Sequence, residues 1–187
     1  MNKPELRRLL RGARRALAPE EHERRSKAVC DRLASLPELT AAQTVLAYVP
    51  EDGEVDIIPF LRVLQSRGVT VAFPVCGADG QMEAYVPHSE NDWRIGRFGI
   101  PEPDPDKAVL LPPEAIDVIL TPCVAADGEL RRLGRGGGYY DRYFLRASGA
   151  ARIGIVFDFQ LRDLSALCEP WDLSLSAVVS DGNIFRS

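Results

Sequence analysis

The fold is decided by the stretch Thr44-Val45-Leu46-Ala47-Tyr48-Val49, a short apolar run typical of a buried strand. A helical pattern follows from Val55 to Arg67, with Pro59 early in the helix and Gly68 at its end. A second apolar run covers Val69 to Phe73. A strand, a helix and a second strand in this order predict a parallel pair joined by a helical crossover.

Further strands are predicted on the carboxyl-terminal side of this unit, at Met82 to Val86, Val118 to Pro122, Ile153 to Phe157 and Leu175 to Val179. Strands alternating with helices predict an α/β fold with a mainly parallel sheet, whose ligands bind outside the carboxyl ends of the strands. At 187 residues, the chain is expected to form a single domain over residues 1–187. The proline-rich stretch Pro101 to Pro113 is interpreted as a surface connection.

Two helices are predicted before the first strand. From Pro4 to Leu17, leucines and alanine recur at helical spacing, and the other face is basic, with Lys3, Arg7, Arg11 and Arg14 or Arg15 in one stripe. A second helix is expected from Pro19 to about Leu36. A basic face of this kind is often only solvated, so its function depends on what lies beside it.

Composition excludes several classes of protein. No apolar run is long enough to span a bilayer and the N-terminus does not resemble a signal peptide, so a cytoplasmic protein without membrane contact is expected. The formal net charge of −4 argues against nucleic acid as the main partner. Four scattered cysteines and two histidines give no zinc pattern, and they predict reduced thiols and no hydrolytic triad.

The strongest chemical signal is the glycine-rich segment Leu133-Gly134-Arg135-Gly136-Gly137-Gly138-Tyr139-Tyr140-Asp141-Arg142. Glycines before a helix allow main-chain amides to face a phosphate, and Arg132 and Arg135 add cations beside them. Asp141 could hold a magnesium ion bound to the phosphates. The segment matches neither the Walker nor the dinucleotide pattern. Glycines alone would also suit a flexible loop, but the flanking charges and paired tyrosines favour a binding site.

The stretch Arg132 to Arg142 resembles the signature of the 5-formyltetrahydrofolate cyclo-ligases, also called methenyltetrahydrofolate synthetases. Other parts of the chain are similar to further blocks of that family, in the same order. They are Lys3-x-x-Leu6-Arg7 with Arg11, Arg14 and Leu17; Tyr48 to Asp56; Gly99-Ile100-Pro101-Glu102-Pro103; Ile153-Gly154 with Gln160; and Asp172 followed by Leu175.

The resemblance implies an ATP- and Mg²⁺-dependent enzyme that cyclises 5-formyltetrahydrofolate, with a three-layer α/β fold related to sugar-phosphate isomerases and CoA transferases. Its magnesium ligands would be Asp141 and Asp172, its folate contacts Val49 and Glu54, and its catalytic residues Arg132, Arg135 and Tyr140. Its ATP site would comprise Lys3, Pro4, Glu5, Leu6, Arg7, Arg132, Leu133, Gly134, Arg135, Gly136, Gly137, Gly138, Tyr139 and Tyr140. A monomer or weak homodimer that binds folate and ATP is expected.

Four positions depart from the family pattern. Ala126 and Leu130 stand where the family usually has phenylalanine and glycine, which puts the turn between them in question. Ile57 replaces a common threonine, and Trp171 a frequent histidine. Such changes leave open a second function, a regulatory module that binds a nucleotide or a sugar phosphate without catalysis. RNA binding through the basic first helix is a third, weaker hypothesis.

Several site residues also have purely structural interpretations. Glu54 could serve the N-terminus of the following helix, and one of Tyr139 and Tyr140 is expected in the core. Trp93 and Phe98 are candidates for the folate pocket or for ordinary core positions.

Overall fold

The computed structural model describes residues 1–169 and 172–187. Trp171, one of the four departures from the family pattern, therefore lies outside the described residues. The helices are α1 Lys3–Arg15, α2 Pro19–Leu33, α3 Pro37–Ala41, α4 Ile58–Ser66 and α5 Tyr139–Arg146. The strands are β1 Thr44–Leu46, β2 Thr70–Cys76, β3 Met82–Val86, β4 Trp93–Ile95, β5 Pro101–Pro103, β6 Val109–Leu111, β7 Val118–Pro122, β8 Ala125–Ala126, β9 Arg132–Leu133, β10 Ala151–Ile155, β11 Ala177–Val179 and β12 Ile184–Arg186.

Eight of these strands form one sheet in the order β12-β11-β10-β7-β1-β2-β3-β6. The five central strands, from β11 to β2, are parallel, whereas β12, β3 and β6 join antiparallel at the two edges. The predicted α/β fold with a mainly parallel sheet is therefore confirmed. The crossover from β1 through α4 to β2 is the unit that the first apolar runs predicted.

The sheet is covered by helices on both faces, because successive side chains of a strand point to opposite sides. In β1, Val45 belongs to a core cluster with residues of α2, α3 and α4, and Leu46 to a second cluster with residues of α5. A third, smaller cluster joins Leu6 and Leu10 of α1 to Val124 and Leu133. This arrangement gives the three layers that the family resemblance implied.

The structure corrects two predicted elements. The second helix ends at Leu33 rather than near Leu36, and a separate short helix, α3, follows it. The stretch Pro101 to Pro113, predicted as a plain connection, contains β5, which pairs with β4, and β6, which is an edge strand of the main sheet. Strands of three residues carry too weak a periodic signal to be recognised, and two of the three residues of β5 are prolines. No helix within the described residues is long and apolar enough to cross a membrane.

The turn around the altered family positions keeps a defined geometry. The Asp127 carboxylate accepts hydrogen bonds from the amides of Glu129, Arg131 and Leu164, at 3.0, 2.9 and 3.2 Å. Leu130, which stands where the family usually has glycine, has a φ of 65°. A leucine in this left-handed region is strained by about 1–2 kcal/mol, a cost that glycine avoids.

We expect Leu130→Gly to cost about 2 kcal/mol or less in free energy of unfolding, although Leu130 is buried. Loss of a buried leucine side chain typically costs about 2–5 kcal/mol, and relief of about 1–2 kcal/mol of backbone strain offsets part of that cost. Urea denaturation measures the change, and Leu164→Ala, at a buried position without this strain, is the comparison and should cost about 2–5 kcal/mol. A loss of 3 kcal/mol or more for Leu130→Gly would contradict the strain argument.

Candidate active site

A cavity of about 330 Å³ lies at the carboxyl ends of the central strands. Tyr48 and Val49 reach it from beyond β1, Cys76 from the end of β2 and Pro122 from the end of β7. The ends of parallel strands at one sheet edge are where α/β folds bind ligands. The cavity also takes in predicted site residues that are distant in sequence: Lys3, Arg7, Glu54, the whole of Arg132 to Asp141, and Asp172.

The glycine-rich segment turns sharply before it enters α5. Gly136 and Gly138 have φ values of 104° and 68°, and Gly138 is the residue that precedes the first turn of α5. L-side chains rarely adopt such angles, so glycine is needed there. The Arg7 Nε atom donates a hydrogen bond of 2.8 Å to the Gly134 carbonyl, across 127 residues of sequence. This bond brings the basic face of α1 to the glycine turn.

The predicted N-terminal site residues divide into two groups. Lys3 and Arg7 line the cavity, whereas Pro4, Glu5 and Leu6 do not. Pro4 lies in the first turn of α1, and Glu5 forms a capping box with Asn2. Leu6 is buried in the cluster of α1. The structure therefore gives these three residues roles in forming and anchoring the helix, and it brings only the two cations to the cavity.

A network of charged residues connects α1, the loop after β1 and the glycine turn. Arg135 forms ion pairs with Glu51 and with Glu54, the second at 2.8 Å. Arg14 lies 3.8 Å from Glu54 and 3.2 Å from Asp52. Asp52 also accepts from Arg11 and Arg15. Arg11, Arg14 and Arg15 of the basic face of α1 therefore all contact this loop.

Glu54 is a buried acid and not a helix cap. It is only 6 % exposed, and α4 begins four residues later with Ile57 at its N-cap position. Removal from water raises the pKa of Glu54 to about 8, since the cost of desolvation outweighs the attraction of Arg14. The same burial, with Arg14 and Arg11 nearby, lowers the pKa of Arg135 to about 10.

We expect the Glu54 carboxyl to make the stability of the ligand-free protein depend on pH. Its pKa of about 8 in the folded state exceeds its value of 4.5 as a free side chain, so the folded state binds the proton more tightly. This contribution is complete below about pH 4.5 and is lost as the pH rises through 8.

The measurement is the difference in free energy of unfolding between the wild type and Glu54→Gln, from urea titrations between pH 5 and pH 9. Glutamine cannot ionise, and every other titrating group is shared by the two proteins. The wild type should therefore lose stability relative to Glu54→Gln as the pH rises towards 8. A difference that stays constant over this range would show that Glu54 remains ionised throughout, held by its arginines.

Both predicted magnesium ligands line the same cavity. Asp141, in the first turn of α5, forms an ion pair with Arg132. Asp172 accepts a hydrogen bond from the Glu169 amide at 2.9 Å. Within residues 1–169 and 172–187, no group of three or more histidine, cysteine or acidic side chains could hold a metal ion by itself. Two carboxylates suit an ion that takes its remaining ligands from water and phosphate oxygens.

The aromatic candidates have different locations. Tyr139, Tyr140 and Phe98 line the cavity, and the rings of Phe98 and Tyr139 meet edge to face at 5.7 Å. Tyr140 is partly buried beside Phe144, and burial raises its pKa above the ordinary value. Trp93 packs against Phe73 of the main core at 5.0 Å. Trp93 therefore packs against the core, whereas Phe98 lines the cavity.

Sequence reasoning missed several residues of this site. The sequence assigns no role to Glu51, Asp52 or Glu102, and it predicts Arg14 or Arg15 on the basic stripe, although Arg14 is only 2 % exposed. The spacing of Glu51, Asp52 and Glu54, directly after a buried strand, was a usable signal. The burial of Arg14 had an ambiguous signal, because helical spacing puts this residue four positions after Leu10 and three after Arg11, at the boundary between the apolar and basic faces.

Comparison with known proteins identifies the family. The model of the 5-formyltetrahydrofolate cyclo-ligase family matches residues 1–181. This chain belongs to the 5-formyltetrahydrofolate cyclo-ligase family. The family membership and the class of enzyme that the glycine-rich signature indicated are thus confirmed.

Relatives of known name match along almost their whole length. The 5-formyltetrahydrofolate cyclo-ligase of Escherichia coli (strain K12) is 32% identical over 182 residues, covering 95% of this chain and 100% of that protein. The Mycolicibacterium smegmatis cyclo-ligase is 34% identical over 188 residues, covering 96% and 93%. The solution structure of Aquifex aeolicus 5,10-methenyltetrahydrofolate synthetase superposes with a TM-score of 0.85 and 34% identity, over 100% of this chain and 93% of that one.

Proposed function

We propose that this enzyme converts 5-formyltetrahydrofolate to 5,10-methenyltetrahydrofolate with ATP and Mg²⁺, releasing ADP and phosphate. The observation that carries the proposal is the joint placement of α1, the loop after β1 and the glycine turn around one cavity. One region of that cavity is cationic and suits polyphosphate, and another is apolar and suits a flat ring. A ligase that uses ATP must hold both substrates side by side.

The phosphates of ATP would bind at the glycine turn. Free main-chain amides at the N-terminus of α5 favour anions, as does the helix dipole. Lys3, Arg7, Arg132 and Arg135 supply positive charge along the lining of the same cavity. In the absence of nucleotide, Arg132 is paired with Asp141 and Arg135 with Glu54. Binding of ATP would exchange these carboxylates for phosphate oxygens, which leaves Asp141 free for the metal.

Asp141 and Asp172 would hold the magnesium ion together with phosphate oxygens and water. The ion would neutralise charge on the phosphates and favour transfer of the γ-phosphoryl group. Glycine at positions 137 and 138 leaves room for the neighbouring side chains of Tyr139 and Arg142, which a methyl group there would approach to 2.9 and 2.8 Å. The rest of the chemistry depends on alignment of the substrates by the protein.

The reaction would proceed in two steps. The formyl oxygen attacks the γ-phosphorus of ATP, the bond to the β-phosphate oxygen breaks, and ADP leaves. N10 then attacks the activated formyl carbon, closes the ring and loses its proton as inorganic phosphate departs. Val49 and Glu54 would orient the formyl group, while Arg135 and Arg132 would stabilise charge on the transferred phosphoryl group. No protein nucleophile is required, consistent with a sequence that contains no plausible triad.

The test is the absorbance of 5,10-methenyltetrahydrofolate after mixing protein, 5-formyltetrahydrofolate and Mg²⁺ with and without ATP. The proposal expects product only with both ATP and Mg²⁺. It also expects turnover to fall at least about 100-fold in Asp141→Ala. Asp181→Ala is the matched control, because that aspartate pairs with Arg25 away from the cavity.

Folded protein that binds ATP but yields no product would instead support the alternative, a non-catalytic nucleotide-binding module. Equal losses in the two aspartate variants would show that Asp141 acts through stability. A cytoplasmic location and a monomeric or weakly dimeric state without nucleic-acid partners accompany the proposal, and size-exclusion chromatography with light scattering tests the oligomeric state.

A further inference from the structure

The hairpin of β4 and β5 forms one wall of the cavity and carries a buried acid, Glu102, that the proposed mechanism does not use. Glu102 is 7 % exposed and lies between two prolines in β5. It lines the same cavity as the glycine turn. Burial of a carboxylate is costly unless it is paired, and within the protein Arg94 pairs with Glu102.

The surroundings of Glu102 are apolar. The parts of the cavity contributed by β2, β3 and the β4–β5 hairpin present Pro74, Cys76, Met82, Phe98, Ile100 and Pro101. Surfaces of this kind bind flat rings through dispersion and apolar contact, and the few polar groups within them determine which ring is accepted. Glu102 is the acid that these segments contribute to the cavity lining.

Glu102 retains hydrogen-bonding capacity. Its Oε1 atom accepts from Nε and Nη2 of Arg94, at 3.2 and 3.0 Å. Its Oε2 atom meets only the Cys76 amide, at 3.4 Å, which is longer than an ordinary hydrogen bond. A carboxylate can accept about four hydrogen bonds, so Oε2 can accept more.

The hairpin also leaves space for this carboxylate. A methyl group on Gly96 would come within 2.3 Å of Oε2, closer than real contacts allow. The φ angle of Gly96 is not positive, so glycine is not required there by backbone conformation. The small residue is explained by the position of the Glu102 side chain. Two features of the hairpin, Arg94 and Gly96, therefore hold Glu102 in one place.

We propose that Glu102 determines specificity for the folate ring by accepting hydrogen bonds from the 2-amino-4-oxopyrimidine edge of that ring. This inference rests on the proposed function. That edge presents two adjacent donors, N3–H and the 2-amino group, which suit a carboxylate. Adenine presents a donor beside an acceptor, so the same carboxylate would repel one of its two groups. Guanine shares the two donors, and the experiment must therefore distinguish folate from the nucleotide.

The experiment compares the wild type with Glu102→Gln, which keeps the shape but places a donor against a donor. We expect the KM for 5-formyltetrahydrofolate to rise about 10- to 100-fold, as loss of a hydrogen bond to a charged group implies. The KM values for ATP and GTP should stay unchanged, and the melting temperature should fall only slightly, because Arg94 is 47% exposed and water can solvate it when the ion pair is lost. Glu83→Gln is the matched control, since Glu83 is a carboxylate of the neighbouring β3 that pairs with Arg146 on the surface.

A substrate analogue without the 2-amino group provides the second arm. The wild type should bind it as weakly as Glu102→Gln binds the natural substrate, and the two changes together should cost no more than either alone. Gly96→Ala should raise the folate KM in the same direction by displacing the carboxylate. An unchanged folate KM in Glu102→Gln, or a rise only in a nucleotide KM, would overturn the assignment.

Two further outcomes distinguish failure of this inference from failure of the proposed function on which it rests. If Glu102→Gln raised the KM for 5-formyltetrahydrofolate and the KM for ATP equally and also lowered the melting temperature, Glu102 would only support the hairpin. That result would overturn the inference. Titration calorimetry with 5-formyltetrahydrofolate measures binding without turnover. A wild type that binds folate but forms no product would refute the proposed function, while the comparison with Glu102→Gln would still decide the role of this residue.

Discussion

Replacing Arg135 with alanine is expected to lower kcat/KM for cyclisation about 100- to 1000-fold, a loss of about 3–4 kcal/mol of transition-state stabilisation. Arg135 belongs to the glycine turn and lines the cavity, and its guanidinium is held by two acids of the opposite loop. A cation in this position can move to the transferred phosphoryl group when ATP displaces those acids. Steady-state kinetics with varied ATP measures the effect.

Two comparisons make the Arg135 result specific. Arg135→Lys keeps the charge but loses the planar fork, so its activity should fall between the wild type and Arg135→Ala. Arg146→Ala removes an exposed arginine of α5 that pairs with Glu83, and it should change kcat/KM less than about threefold. Full activity in Arg135→Ala would show that this residue serves only the ion pairs of the free enzyme.

Replacing Arg14 with alanine is expected to destabilise the protein by about 3 kcal/mol. The side chain is buried and lies 3.2 Å from the Asp52 carboxylate, and removal of one partner from a buried ion pair leaves charge less well compensated in a medium of low polarity. A cavity at the site of the missing side chain adds to the cost. The free energy of unfolding from urea titration at neutral pH measures the loss.

Arg15→Ala is the control for Arg14, because both arginines contact Asp52 from the same helix. The Arg15 side chain is 61% exposed, so its ion pair is screened by water and should contribute less than about 1 kcal/mol. Losses of equal size in the two variants would contradict the view that burial determines the energy. If Arg14→Ala were neutral, the remaining arginines would suffice to stabilise Asp52 and Glu54.

Much of the fold could be predicted because its signals are local. The apolar runs at β1, β2, β3, β7, β10 and β11 alternate with helical patterns, and these predict a mainly parallel sheet without knowledge of its strand order. The edge strands β6 and β12 could not be predicted, because a strand of three residues carries little periodicity. The order β10-β7-β1-β2, in which strands distant in sequence are neighbours, depends on long-range packing.

The sequence by itself determined the strand–helix–strand unit, the glycine turn and the family, since each depends on residues close together in the chain. The tertiary structure alone decided that Arg7 reaches Gly134, that Asp141 and Asp172 line one cavity, and that the acids beyond β1 pair with arginines of α1. It also decided which charges are buried. Composition carries no information on which polar side chain is buried, and helical spacing left Arg14 between two faces, because burial results from how distant segments pack against each other.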